Sequence, residues 1–287
     1  MHIPASFLRL VVHHVGESRG HSGLCAGYQR GEWRADQFAQ HIIDWIPDFA
    51  LSSDELADLH GGNVMAAVRR ASRAIYETEK YQIRGEFGEI ILHALMRDVF
   101  KSVPAIKKIY FQDGSNEVIK GFDAVHVVWN EDQLELWLGE SKFYDNVHRA
   151  IRDVILELEK HLKADYLKRE FAAITNKLDR AWPHSARLKL LLREETSLDD
   201  VFACVRIPVL LTYDSKVVGE HNAQSAEYEA AFCAEINRFN TRFSERLSEL
   251  QRRQGFDARV HLFLIPLKAK KELLEHLHRR LRAAQGI

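Results

Sequence analysis

Cysteine is scarce in this sequence, and its distribution excludes two common ways of stabilising a small fold. The three cysteines, Cys25, Cys204 and Cys233, are odd in number and far apart, and no Cys-x-x-Cys pair occurs. This pattern argues against a disulfide framework and against a structural zinc ribbon. We therefore expect three reduced thiols that pack in the core.

Long apolar runs and a phosphate-binding loop are missing as well. No segment approaches the roughly 20 apolar residues that a membrane helix needs. The apolar stretch over residues 7–15 is interrupted by Arg9 and has neither a basic leader nor a small-residue cleavage site, so it is not expected to act as a signal peptide. No Gly-x-x-x-x-Gly-Lys-Ser/Thr motif occurs, so an ATP-driven motor would have to be another subunit. These absences predict a cytoplasmic protein that does not associate with membranes.

The chain has almost no net charge, because 40 Lys and Arg residues nearly balance 41 Asp and Glu residues. A surface that binds nucleic acid must therefore be a local patch. Two patches are candidates: residues 251–287 carry nine Lys or Arg against three Asp or Glu, and Arg69, Arg70 and Arg73 lie on one predicted helix. Either could contact phosphates, but a solvated helix face accounts for them equally well.

The hydrophobic pattern predicts a mixed α/β protein with helices on both faces of one sheet. With 287 residues and 46% hydrophobic content, the chain can bury a sizeable core. The pattern predicts strands at 6–15, 107–112, 117–129, 134–143, 205–213 and 260–267, and helices from 35 and at 52–79, 84–100, 147–162 and 224–253. A glycine-rich loop is expected through Gly16, Gly20, Gly23 and Gly27. We assign residues 1–80 to an N-terminal α/β lobe and residues 81–287 to the main domain.

One predicted strand ends in two charges that would be costly to bury. Residues 134–139 are mostly apolar, and Glu140 and Lys142 follow on the same face as Leu136 and Leu138. Burying a carboxylate and an ammonium beside leucines is unfavourable unless they pair with each other or with a metal. Such a pair at a strand end suggests a functional role.

Asp123 adds a second carboxylate to this candidate site. It lies in the preceding predicted strand, and a hairpin between the two strands can bring it beside Glu140. Two carboxylates and the backbone carbonyl of Ser141 are hard oxygen ligands of the kind that Mg²⁺ or Mn²⁺ binds. The metal would hold a phosphate oxygen and an activated water, and Lys142 could orient that water or stabilise charge on the phosphoryl group. These residues predict a metal-dependent phosphodiesterase.

Residue spacing alone does not distinguish a catalytic cluster from ordinary surface charges. Glu140 and Lys142 could form an ion pair on a solvated sheet, with Asp123 as an ordinary surface residue. A second acid-x-Lys triplet, Asp-Ser-Lys at residues 214–216, also follows an apolar strand. It leads into a loop, whereas the first triplet has a strand carboxylate before it and an amphipathic helix after it.

A zinc site is the least favoured alternative. The histidines and the cysteine that could form it are His13, His14, His21 and Cys25. Their spacing fits no standard zinc site, and fifteen histidines make chance clusters common.

Three short segments together resemble the PD-(D/E)xK nucleases, which share the restriction-endonuclease fold. They are Gly85…Glu89 on a helix, Gly121-Phe122-Asp123 on a strand, and Gly139-Glu140-Ser141-Lys142 on the next strand. This core match covers about residues 84–165. Phe122 stands where proline is common in that superfamily, and the helix after the last motif lacks the Gln-x-x-x-Tyr of its RecB-like branch. The resemblance implies a restriction-endonuclease-like mixed sheet flanked by helices, with an N-terminal α/β extension.

Longer motifs resemble the HamA subunit of Hachiman anti-phage defence and its AbpA relatives. The motifs are Trp-Ile-Pro-Asp-Phe-Ala-Leu (45–51), Arg-Gly-Glu-Phe-Gly-Glu (84–89), Gly-Phe-Asp-Ala-Val-His (121–126) and Leu-Trp-Leu-Gly-Glu-Ser-Lys-Phe-Tyr (136–144). This resemblance implies a DNA nuclease effector that acts with a superfamily 2 helicase, the HamB or AbpB subunit. We expect residues 1–80 to dock this partner. The alternative is a catalytically inactive nuclease-fold module that binds nucleic acid or docks a helicase.

The resemblance also implies a further metal ligand from the first helix of the nuclease fold. Glu86 and Glu89 are three residues apart and hence neighbours on the helix surface. Glu89 is the favoured ligand, because it stands four residues after Gly85 as in the family pattern. Glu86 is the alternative ligand. If it does not bind the metal, it is expected to be a solvated carboxylate in the first helical turn.

Overall fold

The computed structural model describes residues 3–75, 85–106, 121–130, 133–178, 184–193, 195–255 and 258–287. The strands in these ranges are β1 (Arg9–His14), β2 (Arg19–Cys25), β3 (Tyr28–Gln29), β4 (Glu32–Trp33), β5 (Val103–Pro104), β6 (Ala124–Asn130), β7 (Gln133–Phe143), β8 (Val205–Asp214) and β9 (Arg259–Leu267). The helices are α1 (Ala35–Asp44), α2 (Ile46–Ala50), α3 (Ser53–Ala57), α4 (Val64–Arg73), α5 (Glu86–Val99), α6 (Val147–His161), α7 (Ala164–Lys177), α8 (Ser185–Leu191), α9 (Leu198–Cys204), α10 (Lys216–Glu220), α11 (Ala226–Gln254) and α12 (Lys270–Gln285).

Seven of these strands form one mixed sheet in the order β1-β2-β9-β8-β7-β6-β5, and β3 pairs with β4 separately. The four central strands β2, β9, β8 and β7 are parallel to one another, while both sides of the sheet end in antiparallel pairs. Strands β8 and β9 are buried along nearly their whole length, as expected for parallel strands that are covered on both faces. The predicted mixed α/β fold with a flanked sheet is confirmed.

Helices cover both faces of the sheet, and β7 shows which helix covers which face. A Cβ placed on Gly139 would lie 2.8 Å from Leu92 of α5, whereas the next residue, Glu140, contacts His161 of α6. Because successive side chains of a strand point to opposite faces, α5 and α6 lie on opposite faces of the sheet. The predicted helices 84–100, 147–162 and 224–253 correspond to α5, α6 and α11.

The prediction of a glycine-rich loop is wrong, because Gly20 and Gly23 lie inside strand β2. That strand pairs in parallel with β9 and so extends the sheet. A Cβ on Gly23 would lie 2.7 Å from Cγ1 of the fully buried Ile236 on α11. The glycine therefore allows α11 to approach the sheet closely. The residues next to it in the sequence do not predict this packing role.

Two other parts of the chain differ from the pattern prediction. The helix predicted for 52–79 is divided into α3 and α4 by a segment that contains Gly61 and Gly62, although Ser52 does cap α3 through a capping box with Glu55. Helices α7 to α9 occupy residues 164–204, where no element was predicted. The predicted strand at 107–112, the beginning of the one at 117–129 and the end of the helix at 52–79 lie outside the described residues.

Residues of the predicted N-terminal lobe are built into the sheet and onto the last helix. Strand β2 pairs with β9, and α1 packs along α12 with Arg280 Nη2 2.5 Å from Asp36 Oδ2. The sheet therefore continues across the assigned boundary at residue 80. The assignment of residues 1–80 to a lobe that docks a partner stays a prediction.

The structure also bears on the cysteines and on membrane association. All three cysteines are free; Cys25 is buried, while Cys204 and Cys233 are only half-buried. In the described part of the chain, no helix is both long and apolar enough to span a bilayer.

Candidate functional site

The β6–β7 hairpin brings Asp123 beside Glu140, as the sequence predicts. Ala124 pairs with Gly139, and the Asp123 amide donates to the Gly139 carbonyl over 2.9 Å. Asp123 Oδ2 accepts hydrogen bonds from both the amide and the hydroxyl of Ser141, each 2.8 Å long. Asp123 immediately precedes β6 and is half-buried, so it forms the more accessible side of the candidate site.

Glu140 is almost completely buried, with 1% of its surface exposed. Burial raises its pKa well above the ordinary value, and the negative charge of Asp123 raises the pKa further. Its Oε1 lies 2.5 Å from His161 Nδ1, and burial lowers the pKa of that histidine. Both shifts favour the uncharged form of the group concerned.

Lys142 is buried beside Glu140 but keeps its charge. Burial alone would lower its pKa, but the hydrogen bond to Glu157 and the negative charges of Glu157, Glu140 and Asp123 together outweigh burial and raise the pKa overall. Its Nζ donates to Glu157 Oε2, and only 8% of the residue is exposed. The site therefore holds an ammonium group that is bonded to Glu157 and close enough to Glu140 and Asp123 to feel their charges.

Ser141 lies between these residues and faces helix α5. In an extended strand, the amide and the carbonyl of one residue point to the same side, so the Ser141 carbonyl is directed towards the Asp123 side. A Cβ on Gly88 would lie 3.2 Å from Ser141 Oγ and 3.1 Å from Phe143 Cβ. Glycine at this position brings the first turn of α5 against the end of β7.

Glu86 and Glu89 are both half-buried in that first turn of α5. The helix covers the face of Ser141, whereas Glu140 and Lys142 point to the other face. A carboxylate from α5 would therefore join the site around the start of β6, where Asp123 lies. The assignment of Glu89 as the further ligand, with Glu86 as its alternative, stays a prediction.

The oxygen-rich side of the site fits a hard divalent cation. Among the residues that the structure describes, no group of three or more His, Cys, Asp or Glu side chains is arranged to hold a metal ion. Mg²⁺ needs no such cage, because proteins usually bind it through one or two carboxylates while water and substrate phosphate complete the shell. Asp123, Glu140 and the Ser141 carbonyl suit that mode, and a cation would remove the repulsion between the two carboxylates.

The second acid-x-Lys triplet has structural roles. Asp214 Oδ1 accepts from the Lys270 amide over 2.6 Å at the start of α12. The Ser215 hydroxyl caps α10 and donates to Glu235, while Lys216 is exposed. The buried position of Lys142 thus separates the first triplet from the second.

The other sequence candidates are largely engaged within the fold. Arg279 and Arg280 both pair with Asp36 of α1, and Arg70 pairs with Glu55. The histidines proposed as an alternative zinc site form hydrogen bonds and ring contacts instead: His13 Nδ1 lies 2.9 Å from Ser22 Oγ. These contacts reduce the number of cations that are available for phosphate binding.

The Trp-Ile-Pro-Asp motif connects the N-terminal segment to the two elements that carry the site. Asp48 Oδ2 lies 2.7 Å from His93 Nε2 on α5, and it also pairs with Arg97. His93 Nδ1 contacts His126 Nε2 of β6 at 3.1 Å, and His126 Nδ1 lies 2.8 Å from Ser102 Oγ. This buried chain of polar groups fixes α5 relative to β6.

Two residues of the site, Glu157 and His161, were not predicted from the sequence. They lie four residues apart on the helix that follows Lys142, which places them on one side of α6. That side also carries Val154 and Leu158, which are buried. Two polar residues on the otherwise apolar side of an amphipathic helix were the available signal.

Comparison with known proteins places the chain in a family. A family model described as HamA matches residues 2–281. The curated protein "Anti-bacteriophage protein A" of Escherichia coli (strain K12) is 22% identical over 126 residues, which are 44% of this chain and 23% of that protein. The alignment thus spans less than a quarter of the length of that curated relative, whereas the family match covers nearly the whole of this chain.

Proposed function

Because this chain belongs to the HamA family of anti-phage defence proteins, we propose that it is a metal-dependent nuclease that hydrolyses phosphodiester bonds of DNA. The observation that carries the proposal is the cluster of Asp123, Glu140 and Lys142 at the end of the β6–β7 hairpin. The carboxyl groups of Asp123 and the buried Glu140 repel each other when both are ionised. A cation bound between the two carboxyl groups would offset this repulsion, so a cation-dependent reaction explains why they are placed together.

Each residue of the cluster has a chemical role that follows from its position. Asp123 and Glu140 would hold Mg²⁺ or Mn²⁺ together with the Ser141 carbonyl, and Glu89 is the proposed further ligand. Such a cation polarises a phosphoryl oxygen and lowers the pKa of a bound water. Lys142 retains its proton beside Glu157, so it can stabilise the negative charge that develops on the phosphate.

We further propose that a superfamily 2 helicase subunit of the HamB or AbpB type binds this chain and restrains it. An unspecific DNA nuclease in the cytoplasm would otherwise attack the chromosome of its own cell. Release or remodelling of the complex on abnormal DNA would then expose the site.

The first prediction concerns the catalytic pair. Glu140→Gln and Lys142→Ala should each slow Mg²⁺-dependent plasmid degradation at least about 100-fold, because metal binding and local positive charge each contribute several kcal/mol and about 1.4 kcal/mol is a factor of ten. Degradation by the purified chain is measured with Mg²⁺ and with EDTA. Lys216→Ala, in the exposed lysine of the second triplet, is the matched control and should remain active.

Circular dichroism and thermal unfolding would show that each variant is folded. Full activity in either folded variant, or degradation that persists in EDTA, would refute the proposal. The same assay ranks the helix carboxylates, since Glu89→Gln should impair cleavage more than Glu86→Gln. The reverse ranking would move the further ligand to Glu86.

A further inference from the structure

Helix α6 carries two polar side chains on the side that packs against the catalytic strand. The same side carries Ala150, Val154 and Leu158, which are fully buried. Glu157 and His161 stand one turn apart near the end of the helix, with side chains that are 37% and 12% exposed. The core-facing side of an amphipathic helix is normally apolar, so packing alone does not account for these two residues.

His161 is held in one orientation by aromatic rings. Its imidazole stacks on Tyr166 at a centroid distance of 4.5 Å and an interplanar angle of 14°. Phe122, the neighbour of Asp123, meets the imidazole edge-on at 5.2 Å. With the ring fixed in this way, the contact between His161 Nδ1 and Glu140 Oε1 fixes the Glu140 carboxyl group as well.

Glu157 acts on Lys142 in a similar manner. Lys142 Nζ donates to Glu157 Oε2, and the lysine side chain is only 10% exposed. A long, flexible lysine chain loses considerable rotamer freedom when it is held in one place. The charge-assisted hydrogen bond to Glu157 offsets this cost and the cost of desolvating the ammonium group.

The spacing of the two helix residues matches the spacing of the two strand residues. Residues four apart on a helix are separated by about 6 Å along its axis, and residues two apart on a strand by about 6.6 Å. Since α6 runs back along β7, one helical turn can reach both Glu140 and Lys142. The pairs His161–Glu140 and Glu157–Lys142 satisfy this geometry.

We propose that His161 and Glu157 are positioning residues of the candidate nuclease site. His161 orients the Glu140 carboxyl group for the cation, and Glu157 holds the Lys142 ammonium group beside the place where phosphate would bind. This inference rests on the proposed nuclease function. It assigns α6 a role in the chemistry of the site in addition to its packing role.

The metal-binding test of His161 uses the full chain and Mn²⁺, with isothermal titration calorimetry as the measurement. His161→Ala should weaken Mn²⁺ binding about 10- to 100-fold, the usual effect of removing a group that supports a metal ligand. His161→Asn should retain most of the affinity, because an asparagine amide reaches the position of Nδ1. His161→Gln should not, because its amide reaches the position of Nε2. His148→Ala, in an exposed histidine on the same helix, is the matched control.

The test of Glu157 separates binding from turnover. Glu157→Gln removes the charge that holds Lys142 but keeps the shape of the side chain, so kcat for DNA cleavage should fall about tenfold while KM stays the same. Glu159→Gln is the matched control, because Glu159 forms an ion pair with Arg253 instead. Unchanged kcat in Glu157→Gln would overturn the role of Glu157.

The outcomes distinguish this inference from the proposed function. A wild-type chain that binds and uses Mn²⁺, together with a folded His161→Ala variant of equal affinity, would overturn the role of His161 alone. Equal affinities in His161→Asn and His161→Gln would overturn it too, even where the alanine variant does not fold. A wild-type chain that neither binds Mn²⁺ nor cleaves DNA would overturn the nuclease function and this inference together.

Discussion

Whether a buried titratable residue of this protein favours its charged or its uncharged form depends on the groups next to it. Lys142 stays charged next to Glu157, whereas Glu140 and His161 favour uncharged forms a few ångströms away. The common cause is removal from water, which always disfavours the charged form unless a partner of opposite charge is near. Metal binding would supply such a partner to Glu140.

His261 provides a second case, and it leads to a prediction about stability. Burial, the nearby charges of His13 and Arg206 and those of neighbouring histidines lower its pKa from 6.5 to about 3. Below pH 6.5 the unfolded chain therefore binds a proton at this residue that the folded chain does not bind until about pH 3. The free energy of unfolding should fall with decreasing pH in this window, by up to about 1.4 kcal/mol per pH unit from this residue.

Urea unfolding of wild type and His261→Leu between pH 7 and pH 5 tests this linkage. The variant lacks the titrating group, so its stability should depend less steeply on pH. His60→Leu, which replaces an exposed histidine in the loop before α4, is the control and should keep the slope of the wild type. Identical slopes in His261→Leu and wild type would contradict the assignment of a neutral, buried His261.

At the level of elements, close packing between α11 and the sheet depends on a glycine in β2. The Cβ of an alanine at Gly23 would meet three carbon atoms of Ile236 at 2.7 to 3.1 Å. Isoleucine is branched at Cβ and has few rotamers, so it cannot move aside without disturbing the core around it. The strand and the helix would have to separate slightly along this contact.

Gly23→Ala should therefore destabilise the protein by about 1 to 3 kcal/mol, as is typical of overpacked cores. Chemical unfolding followed by circular dichroism measures the change. Gly219→Ala is the matched control, because a Cβ there meets nothing within 4 Å, and it should be neutral or slightly stabilising. A Gly23→Ala variant as stable as the wild type would show that α11 does not pack as closely as described.

At the level of the whole molecule, the N-terminal segment cannot be treated as a removable extension. Deleting residues 1–80 would remove β2 from the edge of the buried strand β9. It would also remove α1 from its packing against α12 and Asp48 from the buried chain of polar groups that joins α5 to β6. The proposed docking role of this segment must therefore be tested with surface substitutions.

We expect the helicase complex to cleave DNA at least about tenfold more slowly than the free chain, which corresponds to a restraint of about 1.4 kcal/mol or more. Met65→Glu, at a side chain of α4 that is 69% exposed, should weaken co-purification with the helicase and release this restraint. Leu190→Glu is the matched control outside residues 1–80, since Leu190 is 55% exposed on α8.

Equal cleavage rates for the free chain and the complex would refute the restraint. If substitutions over the exposed positions of residues 3–75 left helicase binding unchanged, the proposed interface would lie elsewhere.

Local sequence pattern determined much of the fold and the centre of the candidate site. The hairpin of β6 and β7, the helices on either side of it and the two buried strands β8 and β9 follow from periodicity and turn residues. Strand alternation placed Glu140 and Lys142 on one face, and the hairpin placed Asp123 beside them. Such features depend on neighbours within a few residues, which the sequence displays directly.

Contacts between distant parts of the chain were decided only by the tertiary structure. Gly20 and Gly23 indicate a loop until β2 pairs with β9, since glycine serves both loops and closely packed strands. The two acid-x-Lys triplets look alike until one lysine is buried beside Glu157 and the other is exposed. Periodicity tells which side of an element is buried, but it does not tell which residue packs against it, because that depends on how the elements are assembled.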